Sequence, residues 1–280
     1  MIVAEALRGD PATRLERRLL LEAALERSHA WLASHPEHRL EPHETATFMR
    51  WMERRARGEP IAYLLGRREF FGLELTVTPA VLIPRPETEG LVEWALELLD
   101  PGRTPTVLDL GTGSGAIALA LHAQHPGLAI TAVDASAAAL AVARDNAARL
   151  QPRLGGRPIT FLESDWFGAL EMWRFDLILA NPPYVARGDP HLARGDLRFE
   201  PRSALAAGPE GMDDLARIIA RAPDHLAPDG FLLLEHGHDQ GPACEALLAA
   251  AGFVDISTRH DLSGLPRLTG GRYPRPPEEV

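Results

Sequence analysis

Apolar residues recur along this chain with two different periods. Over residues 1–66 the spacing is helical: Leu15, Leu19, Leu20 and Ala23, then Phe48, Trp51 and Met52, share faces of a 3.6-residue turn. A small N-terminal helical domain is predicted there. From Glu69 the pattern shortens to Phe70, Phe71, Leu73, Leu75 and Val77, then Val81, Leu82 and Ile83, broken at Gly72 and Pro79-Ala80. It predicts a β-hairpin linker over residues 67–86. The segment Pro84-Arg85-Pro86-Glu87-Thr88-Glu89 leads into a periodic helix over 88–99, with prolines and Thr88 suited to a helix start. Beyond Pro105, short apolar runs at 106–110, 129–134, 159–163, 175–180, 231–235 and 254–258 alternate with helical stretches. Residues 87–280 therefore read as an α/β domain, an open and largely parallel sheet with helices on both faces.

Composition narrows the class. With 45% hydrophobic and 24% charged residues over 280 positions, the chain can bury a proper core, and it reads as globular. The net charge of −10 argues against unassisted binding to a nucleic-acid backbone, which draws on cations neutralising phosphates. Through residue 60 ten Arg balance ten Asp or Glu, so the acidity belongs to the remainder. Arg50, Arg54, Arg55 and Arg57 read as a solvated helix face. All 29 basic residues are Arg, which excludes lysine chemistry. The lone Cys244 is expected to pack as a small helix residue. With no 18-residue apolar segment and an N-terminus broken by Glu5, Arg8 and Asp10, the expectation is a reduced, cytoplasmic protein without signal peptide or membrane span.

Chemistry concentrates at strand ends. The run 175–180 stops at Asn181-Pro182-Pro183-Tyr184, where two prolines stiffen the loop. Such a loop can offer the Asn181 side-chain oxygen and the Pro182 carbonyl beside the Tyr184 ring, two acceptors suited to a planar NH2 group. Val107-Leu108-Asp109-Leu110 feeds Gly111-Thr112-Gly113-Ser114-Gly115, a glycine-rich strand-to-helix turn that lets a ligand approach the backbone. Gly111, Gly113 and Ala116 also satisfy the dinucleotide pattern. Asp109 would oppose a pyrophosphate and suit an ammonium, as in S-adenosylmethionine. Asp134 closes the next strand, 23 residues after Gly111, where an acid reaches ribose hydroxyls. In Ser164-Asp165-Trp166-Phe167, Trp166 can stack on or edge an adenine, and Asp165 can accept from an exocyclic amine. His236 and His238 are spaced as metal ligands on one strand face but lack a convincing third partner, so no metal is expected.

These residues resemble the N5-glutamine methyltransferases of the HemK/PrmC type. The likeness runs over nearly the whole chain: Gly58-Glu59-Pro60-Ile61, Leu65-Gly66, Phe70-Phe71-Gly72, the proline-rich run from Val81 to Glu89, the glycine loop, Ser164 to Phe167, Asn181 to Tyr184, Glu200-Pro201, Ala204-Leu205 and Gly208. The proline-rich run is the most specific; Asn-Pro-Pro-Tyr is shared with methyltransferases acting on adenine N6 or guanine N2 of nucleic acid, which is the alternative reading. The resemblance implies a Rossmann-like class I S-adenosylmethionine-dependent methyltransferase fold, with a mostly parallel seven-stranded sheet and an antiparallel final strand. It implies that the helical domain helps to dock class I peptide chain release factors, and that Asn181 and the Pro182 carbonyl hold the glutamine amide of a Gly-Gly-Gln sequence, flanked by Pro183 and Tyr184. S-adenosylmethionine would lie on Asp109, Gly111, Thr112, Gly113, Ser114, Gly115, Asp134 and Trp166, beside Asn181, and leave as S-adenosylhomocysteine. Ala62 stands where the family usually has Gln, and His236 where an aliphatic residue is usual.

Overall fold

A computed structural model describes residues 1–10, 13–99 and 104–275. Of the Pro/Arg/Glu-rich sequence that follows Tyr273, residues 276–280 lie outside the described residues. The chain divides into two compact units, Met1–Arg67 with Arg194–Phe199, and Arg68–Ala193 with Glu200–Val280.

The first unit is helical: α1 (Val3–Ala6), α2 (Arg14–Leu25), α3 (His29–Ser34), α4 (Pro42–Ala56) and α5 (Ile61–Leu65). Pro42 opens α4, where a missing N–H is harmless, and the Glu44 carboxylate accepts from the Glu41 N–H at 2.8 Å. Leu20, Leu21, Leu32 and Phe48 are fully or almost fully buried between these helices. Arg50 and Arg57 are exposed, as on a solvated face, whereas Arg54 and Arg55 are partly buried in ion pairs. Arg54 pairs with Glu59, and Arg55 bridges Glu16 at 2.7 Å and Asp196 at 2.9 Å. These carboxylates push the Arg55 guanidinium pKa further up.

In the second unit β1 (Arg67–Phe70) and β2 (Leu73–Thr76) form the hairpin through Phe71-Gly72, both at positive φ (50° and 75°). A left-handed Phe is costly, and its N–H is held by the Glu89 carboxylate at 3.0 Å. Val81, Leu82 and Ile83 form no strand; they run as an irregular segment with Val81 and Ile83 buried. A 3-10 turn, Pro86–Thr88, then precedes α6 (Glu89–Leu98).

The main sheet contains β3 (Thr106–Leu110), β4 (Ala129–Asp134), β5 (Thr160–Glu163), β6 (Phe175–Ala180), β7 (Leu226–Glu235), β8 (Val254–His260) and β9 (Pro266–Arg272). Its order is β5-β4-β3-β6-β7-β9-β8, parallel from β5 to β7, with β9 antiparallel to both neighbours. Alternation along the strands divides the core. Val107, Leu177, Leu179 and Leu233 pack towards α6 and α7 (Ala116–Gln124), whereas Leu108, Leu110, Ile178 and Leu232 pack towards α9 (Asp213–His225) and α10 (Gly241–Ala250). Cys244 is buried in that second layer. A further helix, α8 (Ala137–Leu154), follows β4, capped by the Ser136 hydroxyl.

Two features depart from the sequence reading. β7 begins at Leu226, five residues early, because Leu226 already pairs with Phe175 and Asp229 (φ 66°) absorbs an irregularity in the ladder. β9 carries Gly270 and Gly271; a Cβ at Gly270 would lie 2.5 Å from Leu233 Cδ2, so only a bare backbone fits between its neighbours. Among the described residues no helix is long and apolar enough to cross a membrane.

Candidate active site

The parallel strands deliver their carboxyl ends to one edge, and there the second unit opens a cavity of ≈ 380 Å³. This position outside the strand ends of an open α/β sheet is where ligands bind such folds. Its lining includes Gly111, Thr112, Gly113 and Ser114 from the turn after β3, Asp134 from β4, Trp166 from the loop after β5, and Asn181 and Pro183 from the loop after β6.

The glycine turn is built for close approach. Gly111, Gly113 and Gly115 have φ of 72°, 55° and 83°, and the Gly111 and Thr112 N–H groups both donate to the Val133 carbonyl at 2.9 Å. At Gly111 a Cβ would meet the Trp166 ring at 3.3 Å, which places that indole against the turn. The Asp134 carboxylate accepts from Gly113 N–H (2.9 Å) and Ser136 N–H (2.8 Å), so it is fixed at the cavity wall with lone pairs to spare. Asn146 of α8, fully buried, donates to the Ser114 and Thr76 carbonyls and accepts from Thr76 N–H at 2.7 Å. It ties the turn to β2, a role that spacing alone does not reveal.

Asp109 is not in the lining. It lies wholly buried beneath the turn, taking the Thr112 hydroxyl at 2.6 Å on one oxygen and leaving the other without a partner. Burial pushes its carboxyl up to about 7, against the Thr112 hydrogen bond.

After β5, the Asp165 carboxylate forms a two-point pair with Arg217 at 2.9 and 2.7 Å, while the Trp166 indole donates to Asp214 at 3.2 Å. Asp214 also lines the cavity, and burial raises its carboxyl. Sequence reading singled out Asp165 and missed Asp214, which comes from the start of α9.

At the loop after β6, the Asn181 Nδ2 donates to the Thr88 hydroxyl at 3.0 Å, which turns the Asn181 oxygen away from Thr88. Pro182 is buried and Tyr184 is largely so; neither lines the cavity. The expected ring beside the acceptors is instead tied behind them, with the Tyr184 hydroxyl donating to Glu235 at 3.4 Å and burial raising its pKa. Glu235 is 1% exposed, with burial lifting its carboxyl to about 7. Opposite, Glu200 accepts from Ile83 N–H at 3.0 Å and pairs with Arg85, securing the proline-rich segment over the cavity wall. His236 is buried with Nε2 2.7 Å from the Thr269 hydroxyl, and His238 is exposed beside Asp239. Among the described residues no group of three or more His, Cys, Asp or Glu is placed to hold a metal ion.

Residues 3–66 match the family described as the PrmC N-terminal domain, and residues 93–195 match the methyltransferase small domain. A release factor glutamine methyltransferase of Burkholderia pseudomallei is 50% identical over 273 residues, 97% of this chain and 96% of the relative. The chain belongs to the release factor glutamine methyltransferases. Another family member, from Escherichia coli, is 43% identical over 95% of each chain. Among solved structures, the T. thermophilus 16S rRNA N2 G1207 methyltransferase in complex with AdoMet and guanosine superposes with a TM-score of 0.52 at 25% identity, covering 74% of this chain and 49% of that one. The family's sheet is thus the class I methyltransferase sheet, and its β9 is the antiparallel final strand.

Proposed function

We propose that the chain transfers a methyl group from S-adenosylmethionine to N5 of the glutamine side chain in the Gly-Gly-Gln sequence of class I peptide chain release factors. The observation that carries this is the Asn181–Thr88 hydrogen bond. It leaves the Asn181 oxygen as the acceptor in a cavity shared with the glycine turn. S-adenosylmethionine supplies a sulfonium-bound methyl group and leaves as S-adenosylhomocysteine. Its fit is supported by the bare turn at Gly111 and Gly113, by Trp166 for the adenine, and by Asp134, whose fixed carboxylate would accept from ribose hydroxyls. Asp109 favours the ammonium from beneath the turn. No metal enters this reading.

The amide nitrogen is a poor nucleophile because its lone pair is delocalised, the same conjugation that makes rotation about a peptide C–N bond cost about 18–20 kcal/mol. Asn181 Oδ1 and the Pro182 carbonyl, in the backbone between two lining residues, accept the two amide hydrogens. They hold the nitrogen towards the methyl group and stabilise the positive charge that grows on it during transfer. S-adenosylmethionine would supply the methyl carbon and keep the electron pair of its sulfur–carbon bond, and the surplus N–H proton of the amide would pass to solvent. Pro183 and Tyr184 stiffen the loop from the side and from behind. The helical unit, residues 1–66, docks the release factor.

Asn181→Ala tests the assignment. Calorimetry should show cofactor binding unchanged, while turnover of labelled methyl into a purified release factor falls about 100-fold, the scale for removing one preorganised stabiliser. Near wild-type turnover would refute the role of Asn181. Release factor and duplex DNA offered side by side, followed by peptide mapping, separate this function from base methylation: methyl on DNA and none on the glutamine overturns it.

A further inference from the structure

Thr88 ends the short turn Pro86–Thr88 and is 4% exposed, 93 residues from Asn181 in sequence. Its hydroxyl oxygen accepts the Asn181 Nδ2–H at 3.0 Å, and the same side chain lies by the buried Glu235 carboxyl at the end of β7, whose ionised form it favours. A hydroxyl has one hydrogen and two acceptor sites. When Glu235 is ionised and takes that hydrogen, the oxygen presents only lone pairs to Asn181. It takes an N–H there and rejects a carbonyl.

We infer that Thr88, backed by Glu235, is a positioning residue that fixes which end of the Asn181 carboxamide faces the cavity. An amide's two ends are nearly identical in shape, so the surrounding hydrogen bonds decide its orientation. Turned over, Asn181 would set its own NH2 against the NH2 of the glutamine, donors facing donors. Held by Thr88, it offers the oxygen. The Tyr184 hydroxyl reaches the same Glu235 carboxyl from the other side, at 3.4 Å, so the residue following the two prolines braces the relay. Residues 84–89 thereby acquire a specific role, the delivery of one hydroxyl to the loop after β6.

This inference rests on the reading that Asn181 holds the glutamine amide, and the test keeps the two apart. Thr88→Val retains shape and branching but has no hydroxyl; Thr88→Ser retains the hydroxyl. With purified release factor as substrate, Thr88→Val should lower kcat about tenfold, the scale of one lost orienting hydrogen bond. Its cofactor KM should stay within about twofold, and Thr88→Ser should recover kcat to within about threefold of wild type on the same scale. If Val disturbs the fold, seen as a lowered melting temperature, Ser and Ala at this position differ by one oxygen and carry the same comparison. Wild-type kcat in Thr88→Val, or a Ser variant as slow as its hydroxyl-free counterpart, overturns the inference. Asn181→Ala is run alongside. If it turns over normally, the reading of Asn181 itself has failed; if it is slow while Thr88→Val is fast, the relay alone has failed.

Discussion

Asp109→Asn should make the cofactor-free protein more stable at alkaline pH. The Asp109 carboxyl is buried among apolar neighbours with one oxygen unpartnered, and its pKa is raised from 3.8 to about 7. The folded chain therefore keeps a proton that the unfolded chain releases. Stability from this group is full below pH 3.8 and is lost as pH rises through 7. At 1.36 kcal/mol per pKa unit, the loss reaches about 4 kcal/mol above pH 7, with more than a third of it already gone by pH 5. Asn cannot ionise, it keeps an acceptor for the Thr112 hydroxyl, and its unpaired N–H2 costs about what the unpaired carboxyl O–H costs. The stability gap between variant and wild type, from urea unfolding at a series of pH values, should widen by about 3 kcal/mol between pH 5 and pH 8. Saturating S-adenosylmethionine should narrow it, because a nearby ammonium favours the ionised aspartate. A gap that does not change with pH would refute the assignment of a protonated, buried Asp109.

Asp134→Ala should raise the dissociation constant for S-adenosylmethionine about tenfold or more, the scale of hydrogen bonds to a charged group, by calorimetry; an unchanged constant would remove the ribose assignment. Gly111→Ala, forced to φ 72° with its Cβ 3.3 Å from the Trp166 ring, should lose at least about 1 kcal/mol of stability and weaken cofactor binding, read by thermal shift with and without cofactor. Asn146→Ala leaves the buried Ser114 carbonyl and the half-buried Thr76 carbonyl without their donor and should cost about 2–4 kcal/mol in denaturant unfolding.

The parallel half of the sheet was legible because its strands are short, apolar on both faces and spaced by helices, as at Leu108–Leu110 and Ile178–Ala180. The turn after β3 and the ends of β4 and β6 were legible for a related reason: glycines, acids and prolines at strand ends have few purposes. β9 was not, since Gly270-Gly271 looks like a turn, and only the neighbouring strands show that the bare backbone is needed. Pro228-Asp229-Gly230 hid the start of β7 in the same way. Within the site, Thr88, Glu235, Asp214 and Asn146 matter through partners dozens of positions away, and no periodicity records which hydroxyl meets which amide. Tyr184 shows the converse: its place after two prolines was evident, but the direction of its ring is set by Glu235, 51 residues on.

The position of β9 bears on how the molecule is made. It is synthesised after β8 yet inserts between β7 and β8. Until the ribosome has released Arg272, β7 exposes an unpaired edge and β8, whose ladder partner is β9 alone, has no place in the sheet, the condition under which nascent chains stick to one another. The sheet cannot close in the order in which it is translated. A nascent chain halted before residue 266 should accordingly bind holdase chaperones through β7 and β8, and release them once Pro266–Arg272 slides its two glycines into the gap.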